Sequence, residues 1–108
     1  MKSISDTLFG RKTIRKYSGR NVDDDLLNDL LLKGSRASTT GNMQVYSIII
    51  TRDESKKKEL APYHFGQKMV TEAPVVLTFC ADFNRFSLWC LQNKAEPGYD
   101  NFLSFFTA

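Results

Sequence analysis

The sequence predicts an α+β fold, and three observations support that prediction. Leucines recur at steps of three and four residues after Asp23, which is typical of an amphipathic helix packed on a core. Two apolar runs, Tyr46–Thr51 and residues 75–81, are rich in residues that favour strands. Residues 52–74 separate these runs, so the two strands are not joined by a short hairpin.

The first predicted helix is short. Ser5 or Asp6 can cap its start, and Gly10 ends it. A basic segment over residues 11–17 follows, and residues 18–21 predict a turn because serine, glycine and asparagine occur together there.

Asp23 is the predicted N-cap of the second helix. Asp24 and Asp25 fall in its first turn, where carboxylates interact favourably with the positive end of the helix dipole. Its apolar stripe consists of Leu26, Leu27, Leu30, Leu31 and Leu32. The pattern extends this helix to about Ala37, despite Gly34.

A polar loop rich in helix breakers, residues 38–42, leads into the first strand. The unbroken isoleucines of Tyr46–Thr51 predict that this strand is buried on both faces. Residues 53–60 predict a short helix whose three lysines, 56–58, lie on a solvated face. Residues 62–66 predict a loop.

Ala73 and Pro74 introduce the second strand, residues 75–81, which is also predicted to be buried. Asp82 can cap the next helix, in which Trp89 is assigned to the core. Residues 99–108 predict the start of another helix that is apolar nearly all round. Such a helix belongs inside a larger core.

Length and composition indicate one small domain and limit its partners. The chain has 108 residues, 42% of them hydrophobic, which suits a packed core. The net charge of +3 fits an anionic small molecule better than a dedicated nucleic-acid surface. No apolar run approaches the roughly 18 residues of a membrane span. Residues 1–6 lack the apolar core of a signal peptide, so we expect a cytoplasmic location. From the charge and the apolar runs we expect neither a nucleic-acid partner nor a membrane partner.

The reactive residue types form no recognisable centre in the sequence. Cys80 and Cys90 lack metal-ligand spacing and are expected to pack as small apolar residues in a reducing compartment. His64 is the sole histidine, and one histidine makes neither a metal site nor a catalytic triad. We therefore predict no metal site and name no catalytic residue.

The basic segment, residues 11–17, contains the strongest candidate site. Its cations and hydroxyl are Arg11, Lys12, Thr13, Arg15 and Lys16. Guanidinium, ammonium and hydroxyl groups on one short stretch can clamp a phosphate or another polyanion. Ile14 and Tyr17 are three residues apart, so they can pack on one side of the segment while the cations and the hydroxyl turn elsewhere. From spacing alone, however, a basic turn that contacts only water is the simpler interpretation.

The order and spacing of several motifs resemble the flavin-dependent nitroreductase family of NAD(P)H nitro/flavin reductases. The motifs are the basic segment, Asp24-Asp25-Leu26-Leu27, residues 35–44, Ile48-Ile49-Ile50, Gln67-Lys68, Ala73-Pro74-Val75-Val76 and residues 80–85. Each motif is weak alone, but together they cover nearly the whole chain. The chain covers only about half of the family domain. We therefore expect residues 1–108 to be the N-terminal portion of one FMN-binding domain, truncated before or within the central dimer helix.

The resemblance implies a mixed sheet wrapped by helices, in a homodimer that holds FMN at its interface. It implies that the FMN phosphate and ribityl chain are held by Arg11, Lys12, Thr13 and Arg15. It also implies a loop from the partner subunit that contacts the ribityl chain and the ring edge through Ser38, Thr39, Thr40 and Asn42. Gln67 would bond to the pyrimidine side of the ring. Lys12 and Thr13 stand where an arginine and a serine are commoner in the family.

The function implied by the resemblance is that of an FMN-dependent NAD(P)H oxidoreductase. NAD(P)H would give hydride to FMN, which would then reduce a nitroaromatic, a quinone or a flavin. The cofactor carries this chemistry, so no side-chain nucleophile or general base is required.

Alternatives remain open for the chain and for individual residues. The chain can be a truncated, non-catalytic remnant that self-associates through its apolar C-terminal helix. A nucleic-acid module built on residues 11–16 is less compatible with the sequence, because only Tyr17 supplies an aromatic ring beside the cations. Residues 38–42 can be only a polar turn, and Gln67 only a helix cap or surface amide.

Overall fold

The computed structural model describes residues 3–98. In chain order the helices and strands are α1 (Ile4–Gly10), α2 (Asp24–Gly34), β1 (Tyr46–Thr51), α3 (Glu54–Leu60), α4 (Lys68–Glu72), β2 (Val76–Ala81) and α5 (Asn84–Gln92). Short 3₁₀ turns cover Thr40–Asn42 and Ala61–His64. The predicted α+β class is confirmed. The helix predicted over residues 99–108 lies outside the described residues.

The two strands form an antiparallel pair. Tyr46 lies opposite Ala81 and Thr51 opposite Val76, so the strands are fully in register. The prediction that both faces are buried is wrong, because Ile49 is 54% exposed and Phe79 is 67% exposed. These two side chains lie on opposite faces of the pair, since the faces alternate along each strand. Both faces therefore remain partly uncovered.

Side-chain caps fix where the first two helices begin. Ser3, not Ser5 or Asp6, is the N-cap of α1, and it forms a reciprocal capping box with Asp6. Asp23 caps α2 as predicted, accepting from the Leu26 amide at 2.8 Å. Both caps satisfy amides that have no partner within the helix.

Helix α2 ends at Gly34, three residues before the predicted end. The amide of Arg36 bonds to the Lys33 carbonyl at 3.2 Å, and that of Ala37 to the Gly34 carbonyl at 3.1 Å. These i to i−3 bonds tighten the chain after Gly34, which is a weak helix former. The next residues therefore leave the helix axis.

Contacts at both ends of α2 set its direction against the strands. At the N-terminal end, Arg52 donates to the Val22 carbonyl at 2.7 Å and to Asp24 at 2.9 Å. At the other end, an apolar cavity of about 340 Å³ lies between the helix and the strands. It is lined by Leu30, Leu31, Gly34, Ala37, Tyr46, Ile48, Leu77 and Phe79. Helix α2 thus runs antiparallel to β1.

Few apolar side chains are buried within residues 3–98. The five that are buried are Leu27, Val45, Val70, Ala73 and Cys90. Helix α1 buries none of its residues. Trp89, which was predicted to be in the core, is 58% exposed and stacks on Phe86 with a centroid distance of 6.0 Å. Cys90 packs inside as expected, whereas Cys80 is only half-buried, and both are free thiols. The described residues therefore leave large apolar surfaces exposed.

Candidate functional site

The basic segment 11–17 is an exposed stretch without regular structure between α1 and α2. Arg11 leaves α1 in an extended conformation, with φ −64° and ψ 128°. The sequence suggested that Ile14 packs on one side of the segment. In the structure Ile14 is 70% exposed and does not anchor the segment. Within residues 3–98, the structure gives no hydrogen bond or ion pair to the side chains of Arg11, Lys12, Thr13 or Arg15. All four residues are exposed.

Arg15 and Gln67, both predicted to contact FMN, line the same open groove. The groove has a volume of about 420 Å³, and its other lining residues are Lys68, Met69 and Glu72. The structure thus brings together two predicted site residues that are far apart in sequence. Two cations, one amide and one carboxylate face this groove, so its lining can offer several donors to an anion.

Gln67 occupies the N-cap position of α4, but its side chain makes no capping bond. Its backbone carbonyl accepts from the Val70 amide at 3.1 Å. Gln67 therefore stands at the cap position, but its side chain does not cap the helix. The exposed amide remains available to a ligand in the groove.

Lys57 is buried, contrary to its prediction from the sequence. It was assigned to a solvated face with its neighbours, yet only 5% of it is exposed. Its Nζ donates to the carbonyl of Ala73 at 2.8 Å and to that of Thr71 at 3.3 Å. The signal that could have revealed it is Leu60, three residues further on, because both share one face of α3.

The loop 38–44, which contains the residues predicted to contact FMN from a partner subunit, is held in an unusual backbone conformation. Gly41, Asn42 and Gln44 have φ values of 57°, 54° and 49°, in the left-handed region. Thr39 stabilises the loop, because its Oγ1 accepts from the Gln44 amide at 3.2 Å and its carbonyl accepts from the Asn42 amide at 3.0 Å. Ser38, Thr40 and Asn42 are exposed. The left-handed residues imply that surrounding contacts fix this loop.

One contact on this loop comes from α5, and a second link nearby joins β1 to the residue after β2. Arg85 donates through its guanidinium to the carbonyl of Gln44 and, at 3.5 Å, to that of Tyr46. Asp82 accepts from the Ser47 hydroxyl and from the Asn84 amide, the latter at 3.0 Å. Asp82 was predicted to cap α5, but Phe83 occupies the N-cap position. Its carboxylate still accepts from the first amide of the helix.

The hydrogen bond from Ser47 is the main cause that lowers the pKa of the Asp82 carboxyl, and the Asn84 amide lowers it further. Desolvation opposes the shift, but by less than either of these two hydrogen bonds. Accepted hydrogen bonds stabilise the charged form of a carboxyl, so Asp82 stays ionised at neutral pH.

The two halves of the predicted site lie at opposite ends of the strand pair. The loop 38–44 leads into Tyr46, which is opposite Ala81. Helix α4, which carries the groove, precedes Val76, which is opposite Thr51. A six-residue strand spans roughly 17–20 Å. The structure does not bring the loop to the groove within one chain, and the prediction that a second subunit supplies it stays a prediction.

Other types of site are not evident in the part of the chain that the structure describes. Residues 3–98 contain no group of three or more histidine, cysteine, aspartate or glutamate side chains that could hold a metal ion. None of the helices in the same range has the length and apolar character needed to cross a membrane.

Comparison with known proteins gives consistent matches. The Nitroreductase family model matches residues 8–90. A Thermus thermophilus protein named NADH dehydrogenase is 40% identical over 88 residues, which are 82% of this chain and 42% of that protein. A Bacteroides fragilis crystal structure is 57% identical with a TM-score of 0.88, covering 94% of this chain and 42% of the other. The structure of B. megaterium NfrA2 is 31% identical with a TM-score of 0.90, covering 99% and 44%. The chain spans less than half the length of these relatives.

Proposed function

The chain belongs to the nitroreductase family, and on that premise we propose that residues 1–108 are the N-terminal portion of an FMN-binding NAD(P)H oxidoreductase. The observation that best supports FMN binding is the groove that Arg15 and Gln67 both line, next to the exposed donors of residues 11–15. A Bacillus subtilis relative, 32% identical over 79% of this chain, is named FMN reductase [NAD(P)H].

The donor set of the basic segment suits the phosphate of FMN. Arg11 and Arg15 supply forked guanidinium donors, Lys12 an ammonium and Thr13 a hydroxyl. Charge-assisted hydrogen bonds to a dianion are stronger than neutral ones. Because these four side chains have no hydrogen-bond or ion-pair partner within residues 3–98, binding a phosphate would break no such contact there.

The remaining contacts are assigned from the same premise. Gln67 would bond to the pyrimidine side of the flavin, since an amide both donates and accepts. A second copy of the chain would contribute the loop residues Ser38, Thr39, Thr40 and Asn42. The separation of loop and groove along the strand pair supports a homodimeric arrangement, in which each site draws on two chains.

The chemistry that FMN supplies when bound is transfer of a hydride from NAD(P)H, which leaves as NAD(P)⁺, to a small acceptor such as a nitroaromatic, a quinone or a free flavin. The residues of this chain bind and orient the cofactor, and none of them is assigned a proton-transfer role. We propose that the protein acts in the cytoplasm on small-molecule acceptors.

A second candidate is a non-catalytic remnant of the family that self-associates. The observation that favours it is the exposed apolar surface of residues 3–98, including Phe9 at 91% and Leu8 at 69% exposed. Large apolar patches of this kind promote association. The C-terminal helix that was predicted to mediate this self-association falls in residues 99–108, outside the described residues.

The flavin content of the purified chain tests the proposal. Visible absorbance, followed by release of FMN on denaturation, gives the flavin bound per chain. Near-stoichiometric FMN supports the cofactor site, and NAD(P)H oxidation with a quinone or nitroaromatic then tests turnover. Absence of flavin even with excess FMN contradicts binding by these residues and favours the remnant. Light scattering on the same sample tests for the homodimer.

A further inference from the structure

We propose that Lys57 is a positioning residue, which holds α4 so that Gln67 keeps its place in the groove beside Arg15. The identity of the ligand in this groove rests on the proposed function. The role of Lys57 in holding α4 rests on contacts that the structure shows directly.

The Lys57 ammonium lies against the C-terminal end of α4. Lys57 is 5% exposed, and its Nζ bonds to two carbonyls at the C-terminal end of α4, those of Thr71 and Ala73. These carbonyls lie at the end where a helix leaves acceptors unsatisfied and carries partial negative charge. The buried ammonium therefore satisfies the end of α4 from a different helix, α3.

Backbone hydrogen bonds connect the C-terminal end of α4 to the groove. Helix α4 has only five residues, and a helix that short does not persist in water without tertiary contacts. The Ala73 amide bonds to the Met69 carbonyl at 3.0 Å, and the Val70 amide to the Gln67 carbonyl at 3.1 Å. A displacement at Ala73 is thereby transmitted to the lining residues Gln67 and Met69.

The helix that carries Lys57 is capped at its N-terminus. Asp53 caps α3 by accepting from the Lys56 amide at 2.9 Å, which fixes the turn that carries Lys57. No carboxylate among the described residues pairs with the Lys57 ammonium. Burying an ammonium on neutral carbonyls costs solvation free energy, whereas an apolar side chain such as methionine fills similar space without that cost. The bonds from Lys57 are directional, so they specify where α4 ends.

The test is a set of FMN affinities measured by quenching of flavin fluorescence. Lys57→Met removes the ammonium and keeps the length of the side chain. Lys58→Met makes the same change at an adjacent exposed position and is the matched control. Both changes are also made in chains that carry Gln67→Ala or Arg11→Ala, and circular dichroism verifies that each variant is folded.

A positioning role predicts coupling to Gln67 alone. Lys57→Met should weaken FMN binding by about tenfold in the wild-type and Arg11→Ala chains, and by less than about twofold in the Gln67→Ala chain. Lys58→Met should leave all three affinities unchanged. Equal weakening by Lys57→Met in all backgrounds, or no weakening in any, would overturn the proposal, because a general structural effect does not depend on Gln67.

Hydrogen exchange separates this inference from the proposed function. In the protein without ligand, the amides of Val70 and Ala73 should exchange about tenfold faster in Lys57→Met and at the wild-type rate in Lys58→Met. If the wild-type chain binds no FMN, the proposed function fails and these rates decide the role of Lys57. Unchanged exchange in Lys57→Met would show that the ammonium does not hold α4, and would refute the inference.

Discussion

The hydroxyl of Ser47 donates a hydrogen bond to the carboxylate of Asp82, and so joins the second residue of β1 to the residue that follows β2. The same residue is tied through its backbone, because the Asp82 amide donates to the carbonyl of the buried Val45 at 2.9 Å. Side chain and main chain together fix the end of the strand pair from which the loop 38–44 departs.

Acid should remove the stability that Asp82 contributes. Its pKa is lowered in the folded chain relative to the ordinary value of about 3.9. The contribution is therefore complete above about pH 4 and is lost as the pH falls through the lower, folded pKa. Urea unfolding at a series of pH values should show wild type more stable than Asp82→Asn at neutral pH, with the difference shrinking in acid. The control is Asp25→Asn, at an exposed carboxylate without such a bond to any residue in 3–98. A difference that persists unchanged in acid contradicts the prediction.

Removing the cap of α2 should destabilise the chain. Asp23→Ala deletes the acceptor of the Leu26 amide, and N-cap losses of this type cost about 1 kcal/mol. Asp25→Ala removes a carboxylate from the same turn without removing a described hydrogen bond, so its effect should be smaller. Chemical denaturation of both variants measures the two losses. Equal losses would mean that the charge, and not the cap, is what matters.

The clamp residues should determine FMN affinity. Charged hydrogen bonds of this kind are worth about 1.5–3 kcal/mol, so Arg11→Ala and Arg15→Ala should each weaken binding by roughly tenfold to a hundredfold. Arg20→Ala, in the turn that follows the basic segment, is the control for a change in net charge. Titration of each variant with FMN measures the effect. Unchanged affinity in both clamp variants would rule out the assignment.

Arg85 should hold the loop that precedes β1. Arg85→Met deletes the donor to the carbonyls of Gln44 and Tyr46, which should free the left-handed residues to relax. Because Arg85 is exposed, we expect a loss of stability of no more than about 1 kcal/mol. Exchange of the Asn42 and Gln44 amides should nevertheless become faster.

Arg36→Met is the matched control for this variant, since the Arg36 side chain is exposed and bonds to no other residue of the described range. Unaltered exchange of the Asn42 amide in Arg85→Met would show that the loop keeps its conformation without the guanidinium.

Elements with strong local signals were predicted well from the sequence. The bounds of β1 match the prediction, and Asp23 caps α2 as expected. Ser3 was missed as the cap of α1 because Ser5 and Asp6 are equally suitable residue types. The choice depends on the pair that Ser3 forms with Asp6 three residues later, which the sequence does contain.

Features set by distant contacts were not predicted. Helix α4 is too short to show a periodic pattern, and its end depends on Lys57 from α3. The strands were expected to be buried on both faces because apolar runs are typical of that environment. Their actual exposure depends on how much of each face other elements cover. Helix α2 covers only part of one face of the strand pair. For the candidate site, the structure adds that Arg15 and Gln67 line one groove, and the roles of both residues stay predictions.

Helix α1, which buries none of its residues, has a consequence for how this chain unfolds. The dependence of unfolding free energy on urea scales with the surface that unfolding newly exposes. Ile4 and Phe9 are already 82% and 91% exposed, so α1 adds little to that surface in a single chain. We expect a shallow urea transition when the chain is dilute. At higher protein concentration, association that covers α1 would steepen the transition and raise its midpoint, since folding and assembly are then linked by mass action.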